Sequence, residues 1–422
     1  MELQNAKGTK DVAGQDAILK EKIVSALKEV FSLYGYSPLE TPIIEKLDVL
    51  TSKYGGGEEI LKETFKLQDQ GKRDLGLRYD LTVPMARFIA MNPGLKMPFK
   101  RYQIGEVFRD GPIKLGRYRQ FTQCDVDIVG IKGMAADAEM IFIAKDAFAK
   151  LKLPVVIKVN SRKLLNAIMD YAGIPAEKQE AAILAVDKLD KIGESSVKKE
   201  LAGKGISAEA ARKLFSALKT EGSNSEKLAK VSKLVKNQEG IEDLKELFSI
   251  VTSEFEPSLA RGLSYYTGTV FEVFLKNSGI KSAVAAGGRY DRMIGQLIES
   301  KQDYPAVGIS FGVDVIADGL KEKGVSFGET TTRAFVIPIK AFKDAIGVSE
   351  KLRNAGINTD MELAGRNVGK ALEYANKLQI PFTIFVGEQE VKAGKIKLRI
   401  MKSGSEFLTT LEEAIELIKR SL

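Results

Sequence analysis

Two stretches, FKRYQIGEVFR at 99–109 and RYRQFTQCDVDIVG at 117–130, are joined by DGPIKLG, and their reading decides the fold. Both runs are rich in aromatic and β-branched residues, and the joining segment carries Asp, Gly and Pro. The pattern predicts an antiparallel hairpin with a long loop. On a strand, alternate side chains share a face. One face of the second strand carries Arg117, Arg119, Phe121, Gln123, Asp125 and Asp127; the other carries Tyr118, Gln120, Thr122, Cys124, Val126 and Ile128. A strand of this kind ordinarily packs its apolar face on the core and shows the other to water. The order of the charges points elsewhere, with two arginines at one end and an amide and two carboxylates at the other. A ligand laid along this face meets cations first and carboxylates second, which suits a phosphate joined to an amine or another N–H donor. Arg109, closing the partner strand, adds a guanidinium at the same end.

Outward from the hairpin, helical spacing of Ile18, Leu19, Ile23, Leu27, Val30 and Phe31 predicts a helix over 16–34. A loop and short-strand region follows, broken by Pro38 and Pro42, and Tyr54-Gly55-Gly56-Gly57 is flexible punctuation. A helix is expected over 135–152 and a strand over 155–160. From 161 to 250 the chain turns rich in Lys, Glu and Ala with helical periodicity, an all-helical insertion outside the sheet. Strands return at 269–276, 282–288 and 306–312, and a linker is expected near 324–332. Beyond it strands and helices alternate: strand 334–338, helix 341–355, strand 357–361, helix 366–378, strand 381–387, a β-pair around 394–409 and helix 411–421. That alternation predicts a small α/β domain with a mixed sheet. The expected class is α+β, an antiparallel sheet flanked by helices with this second domain appended.

The bulk composition narrows the chemistry. In 422 residues there is no histidine and no tryptophan, and Cys124 is the single cysteine. Imidazole nucleophile activation, imidazole general-base chemistry and zinc on imidazole or on a cysteine cluster are therefore excluded. The work falls to carboxylates, guanidiniums, hydroxyls and backbone amides. No run approaches the length of an apolar membrane span, and the first residues lack an apolar signal core, so a cytoplasmic location is expected. Net charge is +8, and residues 331–422 hold 15 Lys and Arg against 11 Asp and Glu. Lys392, Lys395, Lys397 and Arg399 crowd one strand region there, either as a solvated face or as a phosphate-backbone contact.

Two further clusters stand out. Arg78-Tyr79-Asp80-Leu81-Thr82 precedes a helix expected near Pro84, and either Asp80 or Thr82 would serve as its N-cap. Arg261-Gly262-Leu263-Ser264-Tyr265-Tyr266-Thr267-Gly268 is a glycine-flanked turn leading into a strand, where backbone can approach a ligand closely.

Together KGTKDV, LRYDLTVP, VFRDGPIKLGRYRQFTQCDVDIVG, RGLSYYTGTVFE, AAGGRYD and AVGISFGVD resemble the histidyl-tRNA synthetases, which are class II aminoacyl-tRNA synthetases. LRYDLTVP and TQCDVDIVG resemble the archaeal and eukaryotic branch. The resemblance covers almost the whole chain and implies a catalytic domain over 1–328 and an anticodon-binding domain over 329–422. It implies activation of L-histidine by ATP with Mg2+, transfer to the 3′ end of tRNA(His), and a homodimer joined through the segment around 36–50. It further implies that Asp80 and Thr82 hold the amino end of histidine, with Leu81 lining the same turn in the histidine site and Gln123 also facing the amino acid. Asp127 would accept the imidazole N–H, helped by Tyr265 and Tyr266. Arg109, Arg261 and Arg117 would bind ATP, with Arg109 and Arg261 as the catalytic cations at the α-phosphate. No resident metal site is expected.

Three positions depart from the family pattern. Gly111 replaces a glutamate, Ser264 an aspartate, and Val315 the arginine that holds the γ-phosphate, with Arg289 and Arg292 as candidate replacements. Val315 also supports a rival reading, a catalytically silent paralogue with a regulatory or tRNA-sensing role. A class II synthetase for glycine, proline or threonine is a second rival. The resemblance gives the missing histidine another meaning as well: a histidine-free chain can be translated when charged histidine tRNA runs out. Compositional drift, which the missing tryptophan also fits, is the other account.

Overall fold

The computed structural model describes residues 3–51, 62–113, 118–262, 265–300, 302–325 and 329–421. Tyr54–Gly57, Arg117 and Ser264 lie outside the described residues. The chain divides into two compact units, Met1–Asp11 with Lys22–Lys323 and Val12–Glu21 with Gly324–Leu422.

The first unit is built on an eight-stranded sheet in the order Ser37–Pro38, Phe99–Phe108, Gln120–Val129, Ala306–Gly312, Ala285–Arg289, Thr269–Leu275, Val155–Ser161 and Glu254–Phe255. Neighbours run antiparallel except for the two-residue strands at the edges, which pair parallel. The expected hairpin forms, with Phe99 opposite Val129 and Phe108 opposite Gln120. Its register carries the alternation across three strands. On one face Cys124 lies between Ile104 and Phe311. This face is dry: Cys124, Val126 and Ile128 are buried, and the Phe311 ring meets Phe31 of the helix Gly14–Leu33 at 5.7 Å and Phe148 of the helix Met134–Lys150 at 5.8 Å. The two helices thus cover the apolar side, because their own apolar residues recur at the 3.6-residue period. The opposite face carries Gln123, Asp125 and Asp127, which line a cavity.

Six helices follow between Arg162 and Ile250, as the composition of 161–250 predicts. Ser207 caps the fourth, and a Ser223–Glu226 capping box starts the fifth. In a three-stranded sheet, Ile44–Lys46 falls in the expected loop and short-strand region, while its neighbours Asp74–Leu77 and Lys66–Gln68 are not among the expected strands. Its strands are three or four residues long, too short for period-two alternation to register.

The second unit holds a five-stranded mixed sheet in the order Thr359–Met361, Ala334–Ile339, Phe382–Gly387, Ile396–Ile400 and Glu406–Thr409. The alternation seen in the sequence is the one observed. Its central strands AFVIPI and FTIFVG read as continuous apolar runs because both faces are covered. Val336 and Ile384 pack with Leu352, Ala414 and Ile418 on one side, and Phe335, Ile337 and Phe385 with Ala371 and Ala375 on the other. Of the basic cluster, Arg399 and Lys397 pair across the strands with Glu406 at 3.0 and 3.7 Å, while Lys392 and Lys395 are exposed.

Candidate active site

The polar face of the sheet opens into a cavity of about 520 Å³. Its lining gathers residues far apart in the chain: Asp80 and Thr82, Arg109, Phe121 to Gln123, Asp125, Asp127, Arg261, Tyr265, Tyr266 and Tyr290. All the site residues expected from the sequence line it except two. Arg117 lies outside the described residues, and Leu81 is fully buried in the core. Leu81 contributes its carbonyl, which accepts from Arg101 Nη2 at 3.2 Å.

The N-cap position of the helix Thr82–Ala90 falls on Leu81, not on Asp80 or Thr82, but Asp80 stands just before it and its Oδ1 accepts the amides of Thr82 and Val83 at 3.1 and 2.9 Å. The capping role and the cavity role therefore coexist in one carboxylate. Burial pushes the Asp80 carboxyl above its ordinary value, and the Val83 amide pulls it back.

Asp127 is held from two sides by residues that the sequence reading did not assign. Tyr290 donates its hydroxyl to Oδ1 at 2.5 Å. Arg101, directly opposite on the neighbouring strand and only 1% exposed, places Nη2 2.9 Å from Oδ2. That second contact is an ion pair without an aligned hydrogen bond, so Oδ2 lacks a hydrogen-bond donor. Burial and the Asp127 carboxylate both push the Tyr290 phenol up, so its hydroxyl stays the donor. Counting register from the ends of the predicted strands pairs 109 with 117 and sets Arg101 opposite Asp125; the observed pairing is shifted by two residues, which keeps the face but brings Arg101 opposite Asp127. Gly308 completes the arrangement: a Cβ there would overlap Asp127 Oδ1. Gly308→Ala should cost about 1–3 kcal/mol through forced repacking, read as a lowered Tm of the purified variant.

Arg109 is fixed by stacking. Its guanidinium carbon lies 4.2 Å from the Tyr79 ring centroid and 4.9 Å from that of Phe121, and Nε donates to the Tyr79 carbonyl at 3.3 Å. Arg261 pairs with Glu272 at 2.6 Å, with its guanidinium 5.9 Å from the Tyr266 ring. Arg119 turns instead to Asp110 at 3.0 Å and does not line the cavity. Tyr265 packs against Tyr266 at 4.7 Å and meets the Tyr290 ring edge-on at 6.0 Å.

Neither expected stand-in for an arginine at 315 reaches the site. Arg289 is buried and spends its guanidinium on Asp137, Asp291 and the carbonyls of Ile131 and Gly133. Arg292 is exposed and does not line the cavity. Val315 lines it beside Asp314, which Lys10 approaches at 3.6 Å while lying 4.2 Å from the Tyr118 ring. Lys191 and Asp187 of the helical insertion also line the cavity, so the insertion contributes to the site. At Gly111 a Cβ would lie 2.7 Å from Glu63 Oε1, so a side chain at 111 would compete with Glu63 for that space.

A helix-backed antiparallel sheet whose open face carries this polar cavity, followed by a separate α/β unit, defines a class II aminoacyl-tRNA synthetase. Residues 8–316 match the family model described as histidyl-tRNA synthetase, and residues 333–421 that of the anticodon binding domain. The chain belongs to the histidyl-tRNA synthetase family. It is 44% identical over 426 residues to histidine–tRNA ligase 1 of Bacillus cereus, covering 97% of this chain and 96% of that protein. The crystal structure of histidyl-tRNA synthetase from Nostoc sp. PCC 7120 superposes with a TM-score of 0.88 at 30% identity, covering 100% of both chains. An ATP phosphoribosyltransferase regulatory subunit/histidyl-tRNA synthetase structure from Bacillus halodurans C gives a TM-score of 0.76 at 20% identity over 92% of this chain and 99% of that one, a likeness of fold alone.

Proposed function

We propose that this chain is a histidine–tRNA ligase, joining L-histidine and ATP into histidyl-adenylate and pyrophosphate and then moving histidine to the 3′ end of tRNA(His). One observation carries the reading. On the cavity face Gln123 and Asp125 each keep a buried oxygen without a hydrogen-bond donor among the described residues, and Asp127 keeps one met by the Arg101 ion pair alone, while Arg109 and Arg261 line the same cavity. Buried acceptors left open call for a donor-rich ligand, and guanidiniums call for an anion. Histidine supplies an ammonium group and ring N–H; ATP supplies the phosphates.

In this reading Asp80 and Thr82 hold the ammonium group with Gln123 facing the amino acid, and Asp127, oriented by Arg101 and Tyr290, takes a ring N–H beside Tyr265 and Tyr266. Leu81 supports the site through Arg101. Arg109 binds the α-phosphate and meets the charge that grows on it as the histidine carboxylate attacks and pyrophosphate leaves. Arg261 neutralises the carboxylate and the same phosphate, and Arg117 is a further ATP contact. ATP arrives as its magnesium complex. Binding geometry and fixed cations carry the reaction, and neither step needs a protein imidazole.

Residues 1–328 form the catalytic domain with the insertion at about 161–250, and 329–422 the anticodon-binding domain. The enzyme works in the cytoplasm as a homodimer joined through the segment around 36–50, where Ile43 and Ile44 are exposed in the single chain. Among the described residues no helix is long and apolar enough to cross a membrane. The silent-paralogue reading is not favoured, since the relative at 44% identity over nearly the whole chain is a ligase.

ATP–pyrophosphate exchange tests this with each amino acid in turn. Exchange is expected with histidine only; its absence sinks the reading, and exchange with another amino acid alone selects the rival synthetase. Removing 330–422 should weaken tRNA charging yet spare exchange, and loss of exchange in a folded truncation counts against the domain division.

A further inference from the structure

Asp125 has no part in the roles given so far, yet its surroundings are unusual. It is 3% exposed, lines the cavity and leaves Oδ1 without a partner among the described residues. A buried carboxylate with an open oxygen is costly to keep unless something fills it. Across the sheet it faces Ser310 on one side and Gln103 on the other. Ser310 engages its carboxylate, and Gln103 is committed to Thr41, its amide oxygen accepting from the Thr41 hydroxyl at 2.9 Å and the Thr41 amide at 3.1 Å.

Asp80, Asp125 and Asp127 are all buried, with Arg101 beside Asp127 and the buried Arg78 within electrostatic reach of Asp125. The Arg109 charge acts on Asp80. Asp125 and Asp127 thus stand two apart on one face as a pair of acceptors lining the cavity.

We propose that Asp125 is a specificity-determining residue that accepts the second ring N–H of histidine through Oδ1, so that the imidazole is held between Asp127 and Asp125 with both ring nitrogens protonated. The spacing allows it. Residues two apart on one strand face are separated by about 6.8 Å, and two charge-assisted contacts of about 2.8 Å plus the width of the ring fill that gap. Burial pushes the Asp125 carboxyl up to about 7, with Arg101 pulling it down and Asp127 pushing it further up. The two carboxylates repel each other, and a protonated imidazole held between them relieves that repulsion.

The inference rests on the proposed amino-acid specificity, and the test keeps the two apart. Exchange is measured at neutral pH with histidine and with a triazolylalanine, whose weakly basic ring stays neutral and offers one N–H. Wild type should prefer histidine. Asp125→Asn should raise the histidine KM by about 10- to 100-fold, the range of a hydrogen bond to a charged group. The KM for the triazole and for ATP should change little, and Tm should not fall, because an open buried charge has been removed. Asp125→Ser provides a second variant should the amide misfold. Equal KM changes for the two amino acids, or none in a folded variant, overturn the proposal. Wild type inactive with both would overturn the ligase reading itself.

Discussion

Replacing Asp127 with alanine is expected to raise the KM for histidine by at least about 100-fold, since a site built to pair a substrate N–H discriminates steeply once that pair is lost. The KM for ATP should hold within about threefold, because nothing that contacts phosphate in this reading changes. A second consequence is separable. Arg101 is 1% exposed and its Nη2 is 2.9 Å from the lost carboxylate, so Asp127→Ala leaves a buried cation uncompensated. Breaking such a pair costs about 3–5 kcal/mol of stability, and Tm should drop accordingly. Asp127→Asn keeps the shape and the Tyr290 contact and should lose less stability while still losing histidine. Were Asp127→Ala folded and altered only in its ATP requirement, the assignment of this face to the amino acid would be wrong.

Arg109→Ala is expected to lower kcat for exchange by about 10²- to 10³-fold, the loss typical of removing one preorganised donor from developing charge. The guanidinium sits between the Tyr79 and Phe121 rings, at 4.2 and 4.9 Å from their centroids, and so is oriented before substrate arrives. Arg109→Lys should not restore the rate, because an ammonium group reproduces neither the planar stacking nor a bidentate grip on phosphate. A variant with unchanged kcat and a raised histidine KM would move Arg109 from the phosphate to the amino acid.

Part of the site was legible because it lies on one strand. Period-two alternation placed Phe121, Gln123, Asp125 and Asp127 on a common face, and all four line the cavity. The neighbours that set the state of those side chains were not legible. Tyr290 stands in the quoted AAGGRYD, but nothing local ties its hydroxyl to a carboxylate 163 positions away. Arg289, from the same motif, reads as a free cation near a glycine-rich strand, and the fold spends it on Asp137. Leu81 reads as part of a binding turn, and the fold turns its side chain into the core. Lys191 belongs to a helical insertion whose composition gives no sign that it reaches a cavity formed by the sheet.

By itself the sequence determined the elements, their order and which face of each strand is apolar, since side-chain period, turn residues and helix caps act over a few residues. It also determined that the chemistry would rest on guanidiniums and carboxylates, because histidine is absent. Only the tertiary structure decided which polar groups cancel one another and which stay open. Pairing across a sheet joins residues distant in the chain, and a buried charge is governed by what stands within a few ångströms of it. Asp127 is held and Asp125 left open for that reason, although the two stand in the same alternating run.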